Sequence, residues 1–380
     1  MLVVLKTLSA VFWGLLVLSV LVFIHEGGHF LSARIFGMRV TEFFLGLPSR
    51  WRISRKSDRY GTEFGATPIL LGGYTRICGM DGEGDELLAD ALAFVQRKGR
   101  VNISEVREEF SCDEERAYGL MSALADWGSI RPYYNPELGE YPGQSNWPEA
   151  YETLARDDRY LTEYDRDHDF SRPGSTGDGE PREIDMSPAE FLDQERSHTY
   201  LGCSFIPRVL TLLAGPAVNV IFAILVVSLT LSIFGMTYTD NGQTTTWHPD
   251  FLTAIRFAFS YAAAVAKFAS SLIIPTHTMQ VLESSSSVVG ISVMASEAAA
   301  TGPVDLSLLV ASVSMSLGFM NLLPIPPLDG GKILIEIIQL IIGRPLSTRV
   351  QTIMSYVGIA FFIFIFVVAL RNDILRFVLG

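Results

Sequence analysis

Cysteine is nearly absent from this chain of 380 residues: Cys78, Cys112 and Cys203 stand far apart, with no CxxC spacing. That pattern suggests neither a disulfide framework nor a thiolate zinc site. Charge is sparse, at 18% of residues, and is missing altogether from residues 209–234 and 350–370. No segment repeats. A surplus of positive charge is also lacking, since the formal net charge is −12.

What is present is apolar length. Hydrophobic residues make up 49% of the chain, and a membrane helix needs about 20 such residues in a row. Four runs meet this: Val11–Ile35, Val209–Phe234, Val304–Leu323 and Val350–Leu370. A fifth, Phe251–Pro275, contains Arg256 and Lys267 and reads either as a span or as an interfacial amphipathic helix. The expectation is a mainly α, polytopic membrane protein.

Acidic charge is concentrated in one place. Residues 81–200 hold 29 Asp and Glu against 12 Lys and Arg, which marks a water-soluble insertion between basic-looped membrane segments. Arg34, Arg39, Arg50, Arg52, Arg55, Lys56 and Arg59 follow the first span, whereas Thr237–Asp250 carries no Lys or Arg. By the positive-inside rule both termini are extracytoplasmic and the insertion, residues 81–202, is cytoplasmic. A cleaved signal peptide fits poorly, because the first apolar run is long, its basic residues follow it and no small-residue cleavage site is present.

The chain therefore divides into five parts. Residues 1–36 form a first membrane helix. Residues 37–80 hold short β-prone runs (Val40–Leu47, Trp51–Ser54, Thr62–Leu70, Tyr74–Ile77) that predict a small β-region at the membrane surface. An exposed edge, assigned to Thr62–Leu70, is expected to be open to pairing with an added extended strand. Residues 81–132 show three helical periodicities and a closing turn, and resemble a winged-helix domain, specifically the small terminal one of bacterial DNA translocases. Nucleic acid is a poor partner for it: Asp85, Glu86, Asp90, Glu105, Glu108, Glu109, Asp113, Glu114, Glu115 and Asp126 outnumber six bases and repel phosphate. A protein partner or a structural role is expected instead. Residues 133–202 read as an acidic, largely irregular linker, and residues 203–380 as the remaining membrane segments.

FIHEGGHF, residues 23–30, places ionisable groups inside the first apolar run. Such side chains cost about 2.5–3.5 kcal/mol each at the centre of a membrane helix on insertion scales. His25 and His29 lie one helical turn apart on one face, near enough to share a metal ion, while Glu26 lies one step round. In HExxH sites two imidazoles bind zinc and the glutamate takes a proton from the attacking water. A hydrolytic zinc normally has a third protein ligand. MNLLPIPPLDGGKI, residues 320–333, offers one: Pro324, Pro326 and Pro327 break an apolar helix, and Asp329 follows.

HEGGH on the first membrane helix with NLLPIPPLDG on a later one resembles the site-2 protease family of intramembrane zinc metalloproteases. More narrowly, ATPILLGGYTRICGMDGE (66–83), LTLLAGPAVNVIFA (210–223) and GRPLSTRVQTIMSYVGIAFFIFIFVVALRNDI (343–374) are similar to its bacterial regulator of sigma-E protease branch. The resemblance implies one Zn2+ on His25, His29 and Asp329, with Glu26 as general base. It makes Asn321 a substrate-positioning candidate and Asn219 a weaker one; without it, both read as interhelical hydrogen-bond formers. It implies cleavage of single-span membrane proteins, such as anti-sigma factors or remnant signal peptides. Two departures stand out. The branch's PDZ domain has no room between the second span and the next apolar stretch, and the acidic insertion replaces a short link.

Two other functions compete. A catalytically silent scaffold binding proteins through its insertion has no need of all four site groups. A metal transporter calls for further membrane carboxylates or histidines along a path; His277 is isolated in the sequence. The paired Gly27 and Gly28 each cost about 1 kcal/mol against Ala in a soluble helix, so a backbone, either the Asp329 loop or substrate, is expected to pass against them.

Overall fold

The computed structural model describes residues 2–70, 72–80, 84–141, 147–240, 243–273 and 286–376. His277, Ile274 and Pro275 lie outside the described residues. Along the chain run α1 (Leu2–Ile35), β1 (Val40–Leu45), β2 (Ile53–Lys56), β3 (Glu63–Ala66), β4 (Gly73–Ile77), α2 (Leu88–Lys98), β5 (Arg100–Asn102), α3 (Ile103–Phe110) and α4 (Glu114–Asp126). Then come β6 (Ile130–Tyr133), β7 (Ala150–Thr153), α5 (Pro188–Ser197), α6 (Phe205–Phe234), β8 (Met236–Asp240), β9 (Gln243–Trp247) and α7 (Phe251–Ser270). The last described helices are α8 (Val288–Thr301), α9 (Pro303–Asn321), α10 (Asp329–Ile342) and α11 (Thr348–Ile374). The chain divides into two compact units, residues 1–29, 69–73 and 209–380 in one and 30–68 and 74–208 in the other.

In the first unit, five of the described helices are long and apolar enough to cross a membrane: α1, α6, α7, α9 and α11. The chain is thus a multi-pass membrane protein. At 34 residues, α1 is about 51 Å long at 1.5 Å per residue, well beyond the ~30 Å hydrocarbon core. With hydrophobic attraction between helices largely absent in lipid, close packing of small residues holds such bundles together. Here Ala254, Ala258 and Ala262 make a fully packed stripe on α7 against Ala223, Val227 and Leu231 of α6 and Ala311 and Met315 of α9. That stripe seats the stretch whose placement was open in the sequence among the apolar helices. The link between α6 and α7 is a two-stranded hairpin, β8 with β9, instead of a folded domain.

The second unit has two sheets. One has strand order β2-β3-β1-β4, with β1 parallel to β3 and β2 antiparallel to it. The four strands were legible, but the edge was misplaced: Glu63–Ala66 is paired on both sides, and β2 and β4 are the edges. Parallel pairing of β1 with β3 aligns Phe43 with Phe64, and both rings pack on Phe30 at 5.3 and 5.4 Å between centroids. This long-range aromatic cluster accompanies the β1–β3 pairing, and no local sequence signal carries it.

The insertion follows as α2, β5, α3, α4, β6 and β7, with sheet order β5-β7-β6. Helix α3 starts on a capping box between Asn102 and Glu105, and Asp113 caps α4 by accepting from the Arg116 amide. Their apolar faces meet in a core of Leu88, Leu92, Val95, Val106, Leu120, Leu124 and Ile130. The described part of residues 133–202 is largely irregular in secondary structure, but some of it is packed into a core. It supplies β7 and α5, and Tyr151, Tyr160 and Phe191 are part of the same core. The elements were missed because β7 has only 4 residues and the intervening chain folds through side-chain contacts without regular periodicity.

Those contacts centre on four buried charges. Arg39 donates to both oxygens of Asp165 at 2.6 Å and to Glu195 at 2.8 Å, and Arg156 donates to Glu195 at 2.7 Å. All four side chains are almost completely buried. The two guanidinium groups hold the Glu195 carboxyl well below the usual carboxylate range, against the opposing effect of burial. Asp165 is lowered likewise by Arg39.

Candidate metal centre

Two helices of the first unit carry the three donors. His25 and His29 lie one turn apart, at the two ends of HEGGH on α1. Asp329 is the first residue of α10, reached from α9 through the proline loop, which contains a cis Pro326-Pro327 peptide. His25 Nε2 lies 3.0 Å and His29 Nε2 3.3 Å from Asp329 Oδ2, and the two Nε2 atoms are 3.2 Å apart. All three residues are buried or nearly so, and they form the only such donor group of three or more found among the described residues.

These distances test the fit to a metal. Zinc with bonds of 2.0–2.1 Å in tetrahedral array sets its ligand atoms about 3.3 Å apart, close to the three separations seen. Donor type agrees as well, since two imidazoles and one carboxylate leave a fourth position open, as hydrolytic zinc requires. Proton placement supports the same conclusion at His29. Its Nδ1 lies 2.8 Å from the Thr211 carbonyl, which can only accept, so the proton sits on Nδ1 and Nε2 presents its lone pair to the centre.

Helix α6 approaches the histidines closely enough to exclude side chains. A Cβ on Gly215 would fall within 3 Å of both imidazoles. On α1, a Cβ on Gly28 would meet the Ala214 carbonyl of α6 at 2.5 Å, whereas one on Gly27 would meet nothing within 4 Å. The close approach expected of the paired glycines is therefore real for Gly28 but made by α6, not by the Asp329 loop. Gly28→Ala is expected to push α1 and α6 apart at a cost of about 1–3 kcal/mol, the usual range for overpacking. Gly27→Ala should be tolerated. Thermal unfolding of both variants in detergent checks this, and equal melting temperatures would overturn it.

Glu26 is half-buried one step round from His25. Asn321, at the head of the proline loop, donates from Nδ2 to the Leu317 carbonyl of its own helix at 3.0 Å. Asn219 on α6 is completely buried, with its amide 3.3 Å from His25 Nδ1. The structure thus places Asn219 behind a donor imidazole, not at an open substrate face. Thr211 and Gly215 were not singled out from sequence; the Gly-Pro pair 215–216 inside an otherwise unbroken apolar run was the available signal.

Two imidazoles on a span-length apolar helix and a carboxylate on a shorter one converge on one point and define a metal-type site in a polytopic membrane protein. The chain belongs to peptidase family M50, whose family description matches residues 13–365. It is 41% identical over 88 residues to "Zinc metalloprotease RasP" of Bacillus licheniformis, which is 23% of this chain and 21% of that protein. The "Regulator of sigma-W protease RasP" of Bacillus subtilis matches to the same extent, 41% over 88 residues, 23% of this chain and 21% of that one. The matched stretch therefore spans about a fifth of either RasP. "Probable protease eep" of Enterococcus faecalis is 23% identical over 445 residues, covering 96% of this chain and 98% of its own.

Proposed function

We propose that this chain is a zinc-dependent endopeptidase that cuts peptide bonds within membrane-spanning segments of other proteins. One observation carries the reading: three zinc-type donor atoms converge at 3.0–3.3 Å in a unit built from helices apolar enough for a bilayer. His25, His29 and Asp329 would hold the metal. Zinc supplies a Lewis acid that polarises the scissile carbonyl and makes water nucleophilic at neutral pH. Glu26 accepts the proton from the attacking water and returns it to the leaving nitrogen.

A helical substrate shields its peptide bonds with its own hydrogen bonds, so it must be unwound first. An extended segment that pairs with the four-stranded sheet has β2 and β4 as available edges. Single-span membrane proteins are the proposed substrates, of the anti-sigma-factor or remnant signal-peptide kind, with Asn321 contributing to their positioning. The insertion is proposed to be cytoplasmic, with both termini outside, and to bind a protein that governs access.

Metal removal tests the reading. A single-span reporter protein should be cleaved by the detergent-solubilised chain, and cleavage should stop after a zinc chelator and return on adding Zn2+. Undiminished cleavage by metal-free protein would refute it.

A further inference from the structure

We infer that Asn219 is a positioning residue for His25: its amide oxygen accepts a hydrogen bond from Nδ1–H and holds the tautomer whose Nε2 is free for the metal. The inference rests on the zinc reading of this site. His29 has a backbone carbonyl behind it, which fixes its tautomer outright. Behind His25 stands an amide, and an amide can either donate or accept.

The two orientations have opposite consequences. With Nδ2 toward Nδ1, the amide donates to the ring, and the imidazole proton is forced onto Nε2. That proton would then point among the donor atoms, 3.0 Å from Asp329 Oδ2 and 3.2 Å from His29 Nε2. It would also leave Oδ1 of Asn219 buried without a hydrogen-bond partner, a costly state for a polar atom at 0% exposure. Turning the near-isosteric amide over pairs Oδ1 with Nδ1–H and clears Nε2 for the metal. A metal site and a satisfied oxygen thus require the same orientation.

The residue is well held for this purpose. Its backbone carbonyl accepts from Ser314 Oγ of α9 at 2.9 Å. Gly215, one turn earlier, brings α6 against both rings. Orientation of a zinc histidine by the partner of its other nitrogen is worth about 10–100-fold in metal affinity.

The test uses the full-length protein in detergent. Zinc affinity is measured by competition with a chelator, and the visible absorption of the Co2+-loaded protein reports ligand geometry. Asn219→Leu is expected to bind zinc about 10–100-fold more weakly with an altered Co2+ spectrum, while Asn219→Asp, which keeps an acceptor, retains wild-type values. Asn219→Ala serves as a second variant should Leu not fold, and metal-free thermal unfolding reports packing separately. Wild-type affinity and spectrum in the folded Leu or Ala variant would overturn the inference, as would equal losses in Asp and Leu. A wild-type protein that binds no zinc would instead overturn the zinc reading itself.

Discussion

Glu26→Gln is expected to keep one zinc per chain while cleavage of a membrane reporter falls by about 10²–10⁴-fold, the usual worth of a positioned general acid–base. The split between binding and chemistry follows from placement. Glu26 lies on α1 beside the two histidines but contributes no atom to the cluster of His25, His29 and Asp329. Gln preserves its length and polarity and removes only the ability to take a proton. His25→Ala and Asp329→Ala should behave in the opposite way, losing zinc first and cleavage as a consequence. Metal content by elemental analysis, beside reporter cleavage, separates the two classes. Full activity in Glu26→Gln would sink the mechanism, and loss of zinc from it would make Glu26 a ligand.

The spacing of the site explains why so much of it could be read from sequence. Ionisable groups inside an apolar run are conspicuous, so His25, Glu26 and His29 announce themselves, and the proline-broken helix before Asp329 does the same some 300 residues later. Residues acting through their backbone leave no such mark. Thr211 matters for its carbonyl and Gly215 for having no side chain, and neither property shows in a pattern of residue types. Asn219 was visible as a buried polar residue, but which of its neighbours it serves depends on how α6 is rotated against α1, information that sequence periodicity alone does not give.

The soluble unit shows the same division. Helices α2, α3 and α4 were legible because their apolar positions recur with helical period and their caps are local. Strand order was not, since the Phe30, Phe43 and Phe64 cluster joins residues distant in sequence. Residues 133–202 misled for a related reason. A stretch rich in Tyr, Pro, Gly and acids looks unable to bury a core, but its order comes from Arg39, outside the stretch, and Arg156, inside it, both closing on Glu195.

That network sets the largest expected stability effect. Glu195→Ala leaves Arg39 and Arg156 buried with their shared carboxylate gone. Breaking a buried ion pair by removing one partner typically costs about 3–5 kcal/mol, because the uncompensated charge stays in the interior. Asp165 still faces Arg39, so the heavier loss falls on Arg156. Native-state hydrogen exchange should show β7, α5 and the chain between them opening far more often, while α6 and α9 in the membrane unit keep their protection.

The pH dependence has a definite sign. Glu195 and Asp165 both have folded pKa values below their unfolded ones, so their contribution is fully present above the unfolded values of about 4.3 and 3.9. It is lost progressively as pH falls below that range toward the depressed folded values, and the unfolded chain gains because it binds more protons. Protection in residues 150–200 should therefore fall below about pH 4.5 in the wild type, and much less steeply in Glu195→Ala, which has already lost the carboxyl that titrates. Equal pH slopes in the two proteins would assign the acid sensitivity to other groups.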